Sequence, residues 1–298
     1  MAVIDPRVDP AAARLALARL ARATEAPWLH EEAARRMGER LDWIKRQPGT
    51  VIDWSDAAGG SAAVLTAAYP RAQHWHLRMD AAGVAARQAP TPWWRRLSGA
   101  PVVRSVTADA VEPGTTELVW SNMRLHFEPD PLPMLQAWHR ALAPDGFLMF
   151  STLGPGSFGS LRAIYARAGW GPPHAPFVDM HDLGDMLVTT GFAEPVMDQE
   201  TLTLSYASPE TLLGELRHLG ANLAPGRFAG LRTAQWRRRL EEQLLENATE
   251  TDGRLLLQVE LVYGHAFRAA DAGPRVDAET QIGLDAMKLM LRQPRRAK

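Results

Sequence analysis

The stretch VIDWSDAAGG, residues 51–60, brings an acidic side chain next to a turn of small residues. Apolar Val51 and Ile52 predict a buried strand, and Asp53 follows at its carboxyl end. The segment 61–69 then has the spacing of a helix. A strand, an acid, a tight turn and a helix form the arrangement with which α/β domains bind nucleotide-like cofactors. The turn is therefore predicted to line such a site.

Polar side chains also follow two later predicted strands. Asp109 and Ala110 come after the third strand, and Ser121 and Asn122 end the fourth. In sheets of this kind, ligands bind outside the carboxyl ends of the strands, where these residues stand. Helix or turn capping is the structural alternative for Asp, Ser and Asn. Their positions at strand ends favour cofactor contact.

The elements that must position these residues alternate along the chain. Apolar strand-like segments occupy residues 51–54, 74–77, 102–106, 118–120 and 147–153, and the clearest helices between them occupy 61–69 and 131–142. Such alternation predicts a mostly parallel sheet with helices on both faces. The last third differs, with strand patterns at 202–206 and 255–267 separated by helical patterns at 209–219 and 233–247. These late strands predict a modified edge of the sheet.

This order of elements predicts three parts of the chain. Residues 1–49 form an N-terminal helical segment, which is expected to pack over the cofactor cleft. Residues 50–267 form the α/β domain, with an inserted Gly- and Pro-rich helical lid near 154–181 and a helical insertion near 208–250. Residues 268–298 form a tail with a basic end.

Composition narrows the class of protein. The 33 basic and 34 acidic residues nearly cancel, so no overall field attracts nucleic acid or an anionic membrane. The absence of cysteine excludes disulfides and thiolate chemistry and fits a cytoplasmic protein. An organelle-targeting helix at the N-terminus is an alternative that Asp5 and Asp9 disfavour. His74 and His76 lack a third fixed ligand, so no metal is expected.

The motifs between residues 51 and 267 resemble those of class I S-adenosylmethionine-dependent methyltransferases, which have a Rossmann-like sheet. More narrowly, four ordered segments resemble the malonyl-acyl-carrier-protein O-methyltransferases of biotin synthesis. These are SNMRLHFEPDPLPMLQAWHRALAPDGFLMFSTLGPGSFGSLR, FVDMHDLGD, LRHLGANL and VELVYGHAF. The resemblance implies methyl transfer from S-adenosylmethionine to the free carboxylate of malonyl-acyl carrier protein.

The resemblance also assigns the cofactor residues. In the pattern D-x-G-x-G-x-G, Asp53 is the acid, Ser55 and Ala57 replace two glycines, and Gly59 is the third. A side chain forced into the left-handed conformation of a glycine costs about 1–2 kcal/mol per residue, so strain is expected in this loop unless the loop takes another path. The acid that accepts from the ribose falls at Arg78, with Asp80 two residues later.

The remaining family positions concern the adenine and the methyl group. Asp109 with Ala110 matches the adenine contact, and Ser121 with Asn122 faces the methyl-donor cleft. The altered loop keeps a second function open, a catalytically silent methyltransferase-like protein that binds an acyl carrier protein or a sister enzyme. A nicotinamide-dependent oxidoreductase is disfavoured, because no G-x-G-x-x-G follows a strand.

Substrate and partner residues are predicted from the same family-like segments. Arg124 or Arg162 is a candidate to pair with the substrate carboxylate. His181, Asn222, Tyr263 and His265 are candidates to line the acyl pocket, although each type is more often structural. A basic surface that binds the acidic carrier protein is predicted from Arg217, Arg227, Arg232, Arg237, Arg238 and Arg239, the alternative being an exposed helix face paired with Glu241 and Glu242. The segment WWRR at 93–96 fits either a partner patch or a buried anchor.

Overall fold

The computed structural model describes residues 7–23, 25–55, 59–78, 103–248 and 253–269. Two helices, α1 (Pro10–Arg22) and α2 (Trp28–Glu39), precede the sheet. The strands are β1 (Thr50–Asp53), β2 (Gln73–Arg78), β3 (Val103–Thr107), β4 (Thr116–Ser121), β5 (Leu142–Leu153), β6 (Phe192–Tyr206) and β7 (Leu255–Arg268). The later helices are α3 (Ala62–Ala68), α4 (Leu132–Ala141), α5 (Gly159–Ala168), α6 (Met180–Thr190), α7 (Pro209–His218) and α8 (Ala234–Ala248).

The strands form one seven-stranded sheet in the order β3-β2-β1-β4-β5-β7-β6. The first five strands in this order are parallel, whereas β7 runs antiparallel to both β5 and β6. The predicted α/β fold with a modified C-terminal edge is therefore confirmed. The order along the chain reverses between β1 and β4, which creates the crevice where doubly wound sheets bind ligands.

The apolar runs of the central strands explain why helices cover both faces of the sheet. Leu118 and Trp120 of β4 face one buried cluster, together with Met37 of α2. Val119 between them faces the other cluster, together with Trp138 of α4. Successive side chains of a strand point to opposite faces, so a strand that is apolar throughout must be buried on both.

The start of β5 differs from the sequence prediction. The sequence pattern ends a helix at residue 142 and begins a strand at 147, but β5 already begins at Leu142, which pairs with Thr116. A register shift between Thr116 and Leu118 and a positive φ at Asp145 of 62° accommodate the turn-forming residues. The pairing of Leu142 with Thr116 outweighs the local turn preference because both side chains are buried.

Segments 154–181 and 208–250, predicted as a lid and a helical insertion, contain α5 and then α7 and α8. The proposed division into domains stays a prediction. In the part of the chain that is described, no helix is both long and apolar enough to cross a membrane.

An ion-pair network ties α2 to the far edge of the sheet. Arg36 of α2 contacts Glu32 at 2.7 Å and Glu200 of β6 at 2.5 Å. Arg40, directly after α2, contacts Asp198 of β6 at 2.6 Å, and its guanidinium carbon lies 3.8 Å from the ring centroid of Tyr263. The N-terminal segment is thus held against β6 and β7.

We expect Glu32→Gln to destabilise the protein in a pH-dependent way. A hydrogen bond from Arg35, with further help from Arg36, lowers the pKa of Glu32 from 4.5 to about 2. Because the folded-state pKa is depressed, the carboxylate stabilises the fold above about pH 4.5 and loses this effect as the pH falls toward about 2. The substitution should cost about 1 kcal/mol of unfolding free energy at neutral pH, measured by urea denaturation.

Glu39→Gln is the matched control, since Glu39 also pairs with Arg35 but its side chain is 62% exposed. Its effect should be close to zero. An equal loss for Glu32→Gln at neutral pH and at about pH 3 would contradict the role assigned to the charge.

Candidate active site

Two polar residues end the strands that flank the crevice. Asp53 ends β1 with 2% exposure, and Ser121 ends β4 with 0% exposure. Asp53 Oδ1 accepts the backbone N–H of Ser55 at 2.9 Å, and Asp53 Oδ2 lies 3.8 Å from Nδ1 of His76. The carboxylate therefore both fixes the following turn and faces His76 of β2.

Asn122 directly follows β4 and joins three other parts of the chain, namely α2, the loop after β1 and β5. Its Nδ2 donates to the backbone carbonyls of His30 at 2.7 Å and Gly59 at 2.5 Å. Its Oδ1 accepts from the Ser151 hydroxyl at 2.6 Å, and its backbone N–H donates to Ser55 Oγ at 2.5 Å. We call Ser55, Gly59, Asn122 and Ser151 the crevice cluster.

The expectation of backbone strain at Ser55 is wrong. Among the described non-glycine residues, a positive φ occurs at Met123, Asp145, Phe158 and Glu194, and Ser55 is outside this set. A Cβ added to Gly59 would lie 2.4 Å from Ser55 Cβ. Gly59 therefore makes room for the Ser55 side chain. Ala57 lies outside the described residues.

The end of β2 carries a cation. Arg78 is the last residue of β2, is 8% exposed and pairs in register with Thr107 of β3. Asp109 and Ala110 lie in the 3-10 turn Ala108–Ala110 that follows β3, and both are exposed. A hydrogen bond from the Thr107 hydroxyl lowers the pKa of the Asp109 carboxyl. Asp80 lies outside the described residues.

A mostly apolar cavity of about 460 Å³ opens beside the crevice. Its walls come from α5, α7 and α8, with Leu161, Leu213 and Trp236 as representative side chains. Basic side chains also border it, namely Arg19, Arg217, Arg232 and Arg237. Such a cavity suits a long, mainly apolar group that carries an anion.

His126 lies where this cavity approaches the crevice cluster. It belongs to the 3-10 turn Leu125–Phe127, lines the cavity, and its Nδ1 is 3.4 Å from Thr152 Oγ1. Thr152 directly follows Ser151, the partner of Asn122. The sequence prediction missed His126, although its place four residues after Asn122 in SNMRLHF was a usable signal.

Comparison with known proteins assigns the family. No family model matches the chain. It is 37% identical over 279 residues to the malonyl-[acyl-carrier protein] O-methyltransferase of Gallionella capsiferriformans, covering 91% of this chain and 94% of that protein. The protein of the same name from Laribacter hongkongensis is 38% identical over 256 residues, covering 83% and 84%. The chain belongs to the malonyl-[acyl-carrier protein] O-methyltransferase family.

Solved structures agree with the fold of this O-methyltransferase family member. A putative methyltransferase from Bacillus halodurans superposes with a TM-score of 0.52 at 13% identity, covering 80% of this chain and 100% of that one. The YcgJ protein of Bacillus subtilis gives a TM-score of 0.51 at 10% identity, covering 79% and 98%. At these identities the likeness concerns the fold alone.

Both arginines that are predicted to bind the substrate carboxylate contact other residues of this chain. Arg124 is 8% exposed and contacts Glu128 at 2.5 Å. Arg162 Nη1 donates to the Ser157 carbonyl at 2.5 Å. Neither residue borders the apolar cavity. Their proposed role stays a prediction.

The four candidates for the acyl pocket occupy different places. Asn222 borders the cavity, and its Nδ2 donates to the Pro172 carbonyl at 2.7 Å. His181 is on the surface beside Asp179, at 2.8 Å, with 80% of its side chain exposed. Burial raises the pKa of Tyr263 and lowers the pKa of His265, and both lie in β7 away from the cavity. The structure therefore brings Asn222, but not the other three, to the cavity.

The predicted basic surface is partly paired. Arg237 contacts Glu241 and Arg227 contacts Asp9, each at 2.7 Å. Arg232 lies over the rings of Phe228 and Trp236, at 3.9 and 4.8 Å from their centroids. Arg217, Arg238 and Arg239 are exposed. The segment 93–96 lies outside the described residues. Among the residues that are described, no cluster of three potential metal ligands occurs.

Proposed function

We propose that this protein transfers a methyl group from S-adenosylmethionine to the free carboxylate of malonyl-acyl carrier protein. The observation that carries the proposal is the approach of the apolar cavity to the crevice cluster at the ends of β1 and β4. The printed names of the relatives support the same substrate. The carrier protein would dock by its acidic surface near Arg217, Arg238 and Arg239.

The polar groups of the crevice fit the methionine end of the cofactor. Ser121 Oγ is buried and has no hydrogen-bond partner among the described residues, so it offers a polar contact to a ligand. Asp53, Ser121 and Asn122 would hold S-adenosylmethionine. When bound, the cofactor supplies an electrophilic methyl group on a sulfonium. Besides Ser55 and Ala57, Arg78 departs from the family pattern, since it is a cation where the resemblance expects a ribose acceptor.

The protein has to align the substrate carboxylate with the methyl donor rather than activate it as a nucleophile. A carboxylate is ionised at about pH 7 and is already a nucleophile, so the reaction needs no general base. The residues that line the cavity would present a carboxylate oxygen to the methyl group that the bound cofactor would supply. The cavity walls exclude water and hold the thioester arm in line.

The chemical result explains why such an ester is useful. The methyl ester carries no charge, whereas the free carboxylate would be costly to bury in an apolar channel. Enzymes that extend acyl chains in apolar channels would therefore accept the ester as a primer. The basic residues around this cavity fit the charged substrate, because Arg19 and Arg217 can attract it to the mouth.

A labelled-methyl transfer assay tests this function. Purified full chain with S-adenosylmethionine should label malonyl-acyl carrier protein but not acetyl-acyl carrier protein, which lacks the free carboxylate. Binding of the carrier protein without any transfer would overturn the proposal and favour the catalytically silent alternative.

Ser55→Gly should weaken the site rather than restore it. The substitution removes the hydroxyl that accepts from Asn122 N and leaves a buried N–H without that partner. We expect a loss of about 1–2 kcal/mol in unfolding free energy and no gain in cofactor affinity. Denaturation and calorimetric titration of the variant measure both effects. Tighter binding by Ser55→Gly would show that the serine side chain obstructs the cofactor.

A further inference from the structure

We infer that His126 binds the malonyl group directly, with its Nε2–H donating a hydrogen bond to the substrate carboxylate. This role depends on the proposed function, because it names the residue that presents the carboxylate to the methyl donor. It places the reacting end of the substrate at the inner end of the cavity, between His126 and the crevice cluster.

The ring of His126 is held in a fixed orientation. Its centroid lies 4.5 Å from that of Phe127 and 6.1 Å from that of Phe177, with the Phe177 ring at 90° to it. Nδ1 faces the Thr152 hydroxyl at 3.4 Å. Nε2 has no hydrogen-bond partner among the described residues, and part of the side chain is accessible from the cavity. Nδ1 is thus hydrogen-bonded within the protein, and Nε2 is available to a ligand.

Two parallel contacts link this ring to the methyl-donor crevice. The segment after β4 reaches the end of β5 first through Asn122 and Ser151, at 2.6 Å, and then through His126 and Thr152. Asn122 and His126 are four residues apart, and Ser151 and Thr152 are adjacent. Both contacts anchor the segment after β4 on the end of β5, so the His126 ring and the crevice cluster share one strand end.

The charge state of the ring suits this task. Burial lowers the pKa of His126 well below its usual range, and the charges of His30 and Arg124 lower it further. The imidazole is therefore neutral, and a Thr152 hydroxyl that donates to Nδ1 leaves the proton on Nε2.

A neutral donor also suits methyl transfer. A cation would stabilise the substrate carboxylate more than the transition state, in which the oxygen loses charge, and would slow the reaction. Arg124, the nearest cation in sequence, is instead engaged by Glu128 at 2.5 Å. The arrangement thus orients the nucleophile without neutralising it.

Four variants test this role. His126→Leu should lower kcat/KM for malonyl-acyl carrier protein by at least about tenfold, while the Kd for S-adenosylmethionine is unchanged. His126→Gln keeps a donor and should remain within about threefold of wild type, and Thr152→Val should fall between these two. His139→Leu is the matched control, because His139 is also a partly buried histidine with a lowered pKa but contacts Gly191 and Arg268 instead. It should have wild-type activity.

A second measurement separates this role from turnover. Adding malonyl-pantetheine to the full chain should shift the nitrogen NMR signal of His126 Nε2, whereas acetyl-pantetheine should leave it in place. Wild-type kcat/KM in a folded His126→Leu variant, or an unchanged signal in a protein that methylates malonyl-acyl carrier protein, would overturn the inference. An unreactive wild-type protein whose Nε2 signal does respond to malonyl-pantetheine would overturn the proposed function but support this binding role.

Discussion

Asn122→Ala should lose at least about a hundredfold in methyl-transfer rate and about 2–4 kcal/mol in unfolding free energy. The substitution removes three side-chain hydrogen bonds, to the His30 carbonyl, the Gly59 carbonyl and the Ser151 hydroxyl. These partners would remain in a buried site with poorer pairing, which costs more than the bonds themselves. Without Asn122, α2, the altered loop and β5 lose their common anchor at the crevice.

Steady-state kinetics and chemical denaturation measure these two losses. Gln243→Ala is the matched control, since Gln243 is an amide on α8 that donates to Glu246 at 2.8 Å outside the site. Its effect on stability should stay within about 0.5 kcal/mol, with wild-type activity. If Asn122→Ala and Gln243→Ala behaved alike, the crevice cluster would have no special role.

Arg78→Glu should bind S-adenosylmethionine about tenfold to a hundredfold more tightly than wild type. Arg78 is buried at the end of β2, where a guanidinium can only donate hydrogen bonds. Both ribose hydroxyls need an acceptor for their protons, and a glutamate can serve both. Hydrogen bonds to a charged group contribute about 1.5–3 kcal/mol, which corresponds to the expected gain in affinity.

Calorimetry on two further variants identifies the source of any gain. Arg78→Met removes the cation without adding an acceptor and should bind no more tightly than wild type. Asp80→Asn tests the neighbouring carboxylate, two residues along the chain. A tenfold loss in Asp80→Asn together with no gain in Arg78→Glu would show that Asp80 already accepts from the ribose.

The fold could be predicted from the sequence because the local pattern of apolar and polar residues shows which segments are buried. The run around Leu118 and Val119 is apolar on both faces, so it predicts a central strand, and the alternation with helices predicts parallel pairing. The start of β5 could not be predicted in the same way. Its pairing of Leu142 with Thr116 joins distant residues and outweighs the turn residues between Leu142 and Phe147.

The site was predictable only in part for a related reason. Asp53 and Asn122 could both be assigned to a cofactor site because Asp53 ends one strand and Asn122 follows another. Their partners could not, since Asn122 binds the carbonyl of His30 from 92 residues away. The Ser55 side chain likewise fits only because Gly59, four residues later, has no Cβ. The glycine pattern alone therefore predicted strain at Ser55 that the structure does not show.

Calorimetric titration of the full chain with S-adenosylmethionine tests most directly whether the protein binds the cofactor without the glycines at positions 55 and 57. Saturable binding at one site, with a Kd between about 1 μM and about 1 mM and competition by S-adenosylhomocysteine, is the predicted result. No detectable binding at about millimolar cofactor would contradict it. In that case the crevice cluster would be a closed structural core, and the protein would be a silent member of its family.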